Sequence, residues 1–508
     1  MAQDEQAWLD RGRACVLRGD LGGAETVFTS ALAEYPRSFD LRRALAGVYQ
    51  QTTNSARAEL LLRELHAERP GDFASALALA RLLLAQARGH AAAQVLLECF
   101  RKGEHDPELA IKAIEMLDHA DRKIEAAAIA RIALAVTPDD ARLHAYSGML
   151  QIQLGQFEQA REHYLYALEH APEACEWHVP LGLASAQRYH SATHPDFALF
   201  HACAQRVDLG EKARSTLLFA LGKAHDDIGD YAQAASNFRE ANALARALTR
   251  WSRKDWRRGV EARLAARPFQ ASAQPSDDFV PVFIVGMPRS GTTLLAQLLG
   301  RFPGVRNRGE LPWIARFARL PEFAGEPTHA ALERAAAEYR RQATQDDSGD
   351  SRWFIDKQPL NFRYVDLMLA MFPNARIIHS RRSARDTALS LWMQSFTEDV
   401  QGHAYDFGDI AAVKQDEVRL MERWRELHGH SIHDVRYEEL VANPQAAVAD
   451  VANWIGLEQS AVSPIDGSGP SISTASLWQA RQPIYRHSLE RWRNYEGYVP
   501  ELMRFPSS

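Results

Sequence analysis

Alanines recur every 34 residues through the N-terminal half of the chain, at Ala24, Ala58, Ala92, Ala126 and Ala160. Four positions after each comes Phe28, Leu62, Leu96, Ala130 or Tyr164, and seven positions after comes Ala31, Leu65, Cys99, Ala133 or Ala167. Pro36, Pro70, Pro138 and Pro172 close most of the units. A period of this length marks a repeat array, in which no unit buries its apolar side alone and each packs only on its neighbours. The chain has 508 residues, too many for one ordinary core, so the array must be followed by at least one further domain.

The units resemble the tetratricopeptide repeat. Trp8, Gly12, Gly19, Ala24, Phe28, Ala31 and Pro36 match its pattern in the first unit, and Gly148, Gly155, Ala160, Tyr164, Ala167 and Pro172 match it in the fifth. Gly222, Gly229, Ala234, Phe238 and Ala241 mark a further unit. The resemblance implies helix pairs stacked into a curved α-solenoid, whose concave groove would bind a protein or peptide, with a purely scaffolding array as the alternative. Between Pro172 and Leu217 the period slips, and residues 190–195 read as a loop inserted into a degenerate sixth unit. Trp251 to Arg267 reads as a capping helix, and PFQASAQPSDD as the domain boundary. The expected division is therefore a solenoid over 1–250, a capping helix and linker over 251–280, and an α/β domain over 281–508.

In that second half, short apolar runs (VFIVG, RWFID, ARIIHS and SIHDVRY) alternate with helical patterns, which predicts a mainly parallel sheet. The first run leads into GMPRSGTT, Gly286 to Thr293, and then into the helical LLAQLLGRF. Strand, glycine-bounded turn and helix start together predict a P-loop-like anion site. The lysine that neutralises the terminal phosphates of a nucleoside triphosphate is absent: Thr292 stands there, and the positive charge has moved to Arg289, after Pro288. Arg289, Ser290, Gly291, Thr292 and Thr293 are thus candidates for holding an anion other than ATP with magnesium.

A hydrophobic fraction of 46%, a charged fraction of 24% and a net charge of -6 fit a globular protein and argue against a nucleic-acid binder. No apolar stretch is long enough to cross a membrane, and MAQDEQAWLD lacks the features of a signal peptide, so a cytoplasmic location is expected. Cys15, Cys99, Cys175 and Cys203 show no metal-ligand spacing and read as small buried thiols in a reducing compartment.

PxRSGTT after a strand resembles the phosphosulfate loop of sulfotransferases, which use 3'-phosphoadenosine 5'-phosphosulfate (PAPS) as donor and need no metal. Ser383 and Asp386 form a capping-box pattern that starts a helix, and the eight-residue spacing from Arg382 to Ser390 matches that family's 3'-phosphate grip. Arg381 and Arg385 read as solvated. The nearer resemblance is to tyrosylprotein sulfotransferases. It implies that Glu310, 21 residues after Arg289, is the general base, and that Lys357 contacts the leaving group's bridging oxygen. It also implies that Ser476 steadies the sulfuryl oxygens, and that Tyr437 and Arg491 help hold the nucleotide. Arg491 replaces that family's usual lysine, and Gln394 stands where the tyrosyl enzymes carry a further basic residue. The membrane anchor and disulfides of the animal enzymes are not expected here. The acceptor implied first is a protein or peptide hydroxyl, with a glycan or small alcohol second. A P-loop kinase or triphosphatase, and a non-catalytic adaptor with a nucleotide-binding relic domain, are the competing classes. No metal site and no particular oligomeric state is expected.

Overall fold

The computed structural model describes residues 4–52, 54–269, 276–345, 347, 349, 351–396, 399–457 and 488–506. It divides into two compact units, Met1–Leu150 and Gln151–Ser508.

The first unit is built of antiparallel helix pairs, beginning with Glu5–Leu17 and Leu21–Glu34. The periodic alanines Ala24, Ala58, Ala92 and Ala126 are fully buried. Gly12 shows why small residues are required: a Cβ there would stand 2.1 Å from the ring of Phe28 on the paired helix. Side chains of Asp20, Ser38, Asp72 and Asp106 cap four of these helices, accepting from backbone N–H groups that would otherwise lack partners.

The second unit holds further helix pairs and the sheet. The irregular stretch is a 3-10 turn (Pro172–Glu176), a short helix (Val179–Ser185) and the helix Pro195–Ala204, in place of a regular pair. Cys175 and Cys203 lie there with Cα atoms 5.8 Å apart and form a disulfide, which corrects the expectation of four reduced thiols. Cys175 lies in the 3-10 turn and Cys203 in the helix Pro195–Ala204, both within the stretch where the period slips. Cys15 and Cys99 are free and buried. A regular pair follows, Glu211–Asp227 and Tyr231–Leu248, with a Cβ on Gly222 placed 2.6 Å from the Phe238 ring.

The sheet is all parallel, in the order β2-β3-β1-β4-β5: β1 is Val280–Gly286, β2 Val305–Asn307, β3 Trp353–Asp356, β4 Arg376–Arg381 and β5 Ile432–Arg436. β2 was not foreseen: three half-buried residues are too few to show a period. β1 is central, and its side chains alternate. Val282 and Ile284 pack with Leu295, Leu299, Ile378 and Val451 on one face, while Phe283 and Val285 join Ile377, Met368, Leu420 and Trp424 on the other.

That second core also contains Phe219, Phe238 and Trp256, so the last repeat pair shares it with the sheet. The Arg253–Ala265 helix, expected as a cap, packs along the long helix Phe407–His428. Trp256 Nε1 donates to Asp416 at 3.1 Å, and Arg253 Nε to buried Asp409 at 2.5 Å. Among the described residues no helix is long and apolar enough to cross a membrane.

Candidate active site

After β1 the chain passes to β2 and β3 on one side and to β4 and β5 on the other, so the end of β1 is a switch point, where ligands enter such sheets. The turn there has three positive φ values: Gly286 at 142°, Arg289 at 71° and Gly291 at 94°. A Cβ on Gly286 would lie 2.3 Å from the Ser380 carbonyl oxygen, and one on Gly291 2.3 Å from Cδ2 of Tyr437. Both positions therefore demand glycine. Arg289 holds a left-handed backbone without that freedom. Its Nε donates to Ser390 Oγ at 3.0 Å and its carbonyl accepts from Arg382 Nη1 at 3.0 Å. Ser290 Oγ donates to the Met287 carbonyl and Ser380 Oγ to the Ser290 carbonyl, both at 2.7 Å. The helix Thr292–Leu299 starts from Gly291, which has no side chain to cap it, so its first turn faces whatever the loop holds. Thr292 and Ser290 are buried and Thr293 half-buried. Gly291→Ala should cost about 1–3 kcal/mol from the positive φ alone, seen as an earlier melting midpoint. Gly325→Ala, where a Cβ meets open space, serves as the control and should leave the midpoint unchanged.

Arg382 and Ser390 come to this loop from β4 and the helix Ala384–Trp392, which Ser383 caps as expected. The Arg382 guanidinium lies 4.7 Å from the Tyr437 ring centroid and donates through Nη2 to the Ser488 carbonyl at 2.6 Å. Tyr437 OH and Ser488 Oγ are 2.8 Å apart. Arg289, Gly291, Arg382, Ser390 and Tyr437 thus form one cluster, joined by Ser488, which no motif had singled out. Arg385 is not simply solvated: its Nε donates to the Phe505 carbonyl at 3.0 Å and its guanidinium stands 4.5 Å from the Trp492 ring centroid. Arg381 is exposed.

Glu310 and Lys357 meet at the ends of neighbouring strands. Lys357 N donates to the Gly309 carbonyl at 2.8 Å, and the buried Lys357 ammonium is paired with the Glu310 carboxylate. Asp356 braces the pair: it accepts from Leu311 N at 3.2 Å and from Tyr339 OH at 3.0 Å. Burial pushes its carboxyl up to about 7 despite those two donors.

Beneath the loop lies a network that sequence reading missed. Glu417, on the long helix Phe407–His428, is fully buried and accepts from Met287 N at 3.1 Å. His379 of β4 bridges Glu417 Oε1 at 3.0 Å and Asp434 Oδ1 at 2.9 Å, and Lys414 pairs with Glu417. Burial alone would raise the Glu417 carboxyl, but the His379 hydrogen bond and Lys414 charge outweigh it and hold the group down to about 2. DEVRLMERW reads as an ordinary amphipathic helix, and Glu417 lies 130 residues from Met287, so nothing local marks it.

Ser476 lies outside the described residues. The Arg491 guanidinium is paired with Asp226 of the last repeat pair.

The site is thus a parallel sheet with a lysine-free, arginine-bearing turn at its switch point and a carboxylate–ammonium pair beside it. Residues 281–461 match the sulfotransferase family, and residues 215–248 match the tetratricopeptide repeat. The chain therefore carries a sulfotransferase-family domain behind tetratricopeptide repeats. It is 27% identical over 541 residues to an uncharacterized protein of Aquifex aeolicus (strain VF5), covering 98% of this chain and 69% of that one. It is 22% identical over 251 residues to the protein-tyrosine sulfotransferase of Drosophila melanogaster, across 43% of this chain and only 47% of that relative's length. A sulfotransferase domain from the Synechococcus PCC 7002 olefin synthase aligns at 19% identity and a TM-score of 0.34, covering 45% of this chain and 91% of that one.

Proposed function

We propose that residues 281–508 transfer the sulfuryl group of PAPS to an acceptor hydroxyl. The observation that carries this is the convergence of Arg289, Arg382, Ser390 and Tyr437 at one strand end, with the Glu310–Lys357 pair at the next. Arg289 and the first amides of the Thr292–Leu299 helix suit the 5'-phosphosulfate, and Arg382 with Ser390 suits the 3'-phosphate. Two arginines in one cluster, with no P-loop lysine, favour a bisphosphorylated nucleotide over a triphosphate. In the transfer, Glu310 takes the acceptor's proton as its oxygen bonds to sulfur. The bond from sulfur to the bridging phosphate oxygen breaks, and Lys357 neutralises the charge left on that oxygen. Ser476 is assigned to the sulfuryl oxygens and Arg491 to the nucleotide phosphate by resemblance alone.

The acceptor we propose is a protein or peptide hydroxyl, tyrosine first. Similarity to a protein-tyrosine sulfotransferase over part of the chain and the presence of tetratricopeptide repeats support that choice. Calorimetry with adenosine 3',5'-bisphosphate should give saturable heat without magnesium. A folded protein that gives none, or that binds ATP with magnesium instead, would overturn the reading. Labelled donor incubated with cell extract, followed by sizing of the products, separates a protein acceptor from a glycan or small alcohol.

A further inference from the structure

The C-terminal residues 488–506 form a strap that touches the anion site at one end and the repeat array along its length. Ser488 enters between Arg382 and Tyr437, with its carbonyl on the first and its hydroxyl on the second. Both oxygens of Asp386, in the first turn of the helix that carries Ser390, accept strap amides: Glu490 N at 2.9 Å and Trp492 N at 3.1 Å. Asp226, on the repeat helix Glu211–Asp227, then takes two strap side chains. One oxygen pairs with Arg491 and the other accepts from Tyr495 OH at 2.6 Å. Tyr495 is fully buried, its ring 5.2 Å from that of Tyr231 on the next repeat helix, whose hydroxyl accepts from Asn494 at 3.2 Å. The Asp226 side chain is only 6% exposed, against 31% for Arg491, so the carboxylate carries most of the desolvation and depends on the strap for its compensation.

We propose that Asp226 is a positioning residue for the donor site. The last repeat pair holds the strap through Asp226, and the strap holds Arg382 and Tyr437 through Ser488. The repeat array thereby contributes to donor binding without touching the donor. This rests on the reading of Arg382, Ser390 and Tyr437 as donor-binding residues, and it gives Arg491 the role of anchoring the strap in place of the nucleotide contact that resemblance assigns it.

Asp226→Asn keeps an acceptor for Tyr495 but removes the charge facing Arg491. With PAPS as the varied substrate, KM should rise about fivefold while kcat changes less than about twofold, the pattern of lost ground-state binding. Glu501→Ala removes the strap's distal ion pair with Arg239 and should leave the donor KM as in the parent. In hydrogen exchange on the full chain without any nucleotide, the Glu490 and Trp492 amides should exchange about tenfold faster in Asp226→Asn. An unchanged KM well below the melting midpoint, or an equal rise in Glu501→Ala, overturns the inference. Wild-type exchange at those two amides also overturns it, whether or not a nucleotide binds. Failure of the parent protein to bind adenosine 3',5'-bisphosphate would sink the functional reading instead.

Discussion

Glu310→Ala should lower kcat by about 10²–10⁴-fold, the range expected when a positioned proton acceptor is lost. Binding of adenosine 3',5'-bisphosphate should stay within about threefold of the parent, because the residues proposed to grip it follow β1, β4 and β5 or, for Arg491, lie in the C-terminal segment, and none is on the β2 loop that carries Glu310. The Lys357 contact is the reason to expect a clean separation. In the structure the ammonium and carboxylate satisfy each other, and in the proposed transfer an acceptor hydroxyl would take the place of one partner. The truncation leaves Lys357 without that carboxylate but does not disturb its backbone bond to Gly309. Single-turnover transfer of labelled sulfate is the decisive measurement. Activity within tenfold of the parent would place the base elsewhere, and a large loss of nucleotide affinity would make Glu310 a binding residue instead.

Glu417→Ala should be the most damaging single change to stability, by about 3–5 kcal/mol, the usual result of removing one member of a buried charged network. Met287 N and His379 lose a hydrogen-bond acceptor and Lys414 loses its counter-charge, all around a carboxylate with no exposure. Glu417→Gln, which keeps an oxygen for Met287 N, should recover part of the loss. The pH dependence has a definite sign. The carboxyl is lowered from 4.5 to about 2 in the folded chain, so its contribution is fully present above the unfolded value and is lost as pH falls through the folded one. Parent and Glu417→Gln should therefore differ least in melting temperature at the acid end of that window and most near neutrality. A gap that does not change across the window would show that the charge carries no stability.

The architecture was legible in the chain because it rests on local rules. A 34-residue period of small and large side chains requires stacked helix pairs whatever lies beyond them, and Gly12 under Phe28 and Gly222 under Phe238 are that rule in space. The four strands marked by apolar runs formed, and β2 escaped because three residues carry no pattern. Ser383 starts its helix as its spacing to Asp386 predicts. The cysteines misled because their spacing says nothing about a disulfide that depends on an irregular unit.

Repeat period, glycine positions and the loop's missing lysine follow from the order of residues, since each is decided by backbone sterics and neighbours within a few turns. Three other features were settled only when the strands took their order and the last repeat helices joined the sheet's core. These are the Glu417 network under Met287, the Asp356 brace beside Lys357, and the hold of Asp226 on the strap. Their contacts from Leu311 to Asp356, Met287 to Glu417 and Asp226 to Arg491 join groups 45, 130 and 265 positions apart, and no local preference connects such groups. A buried charge is tolerable only where folding has already brought its partner, so these contacts are products of the packing and leave no trace in the pattern that encodes it.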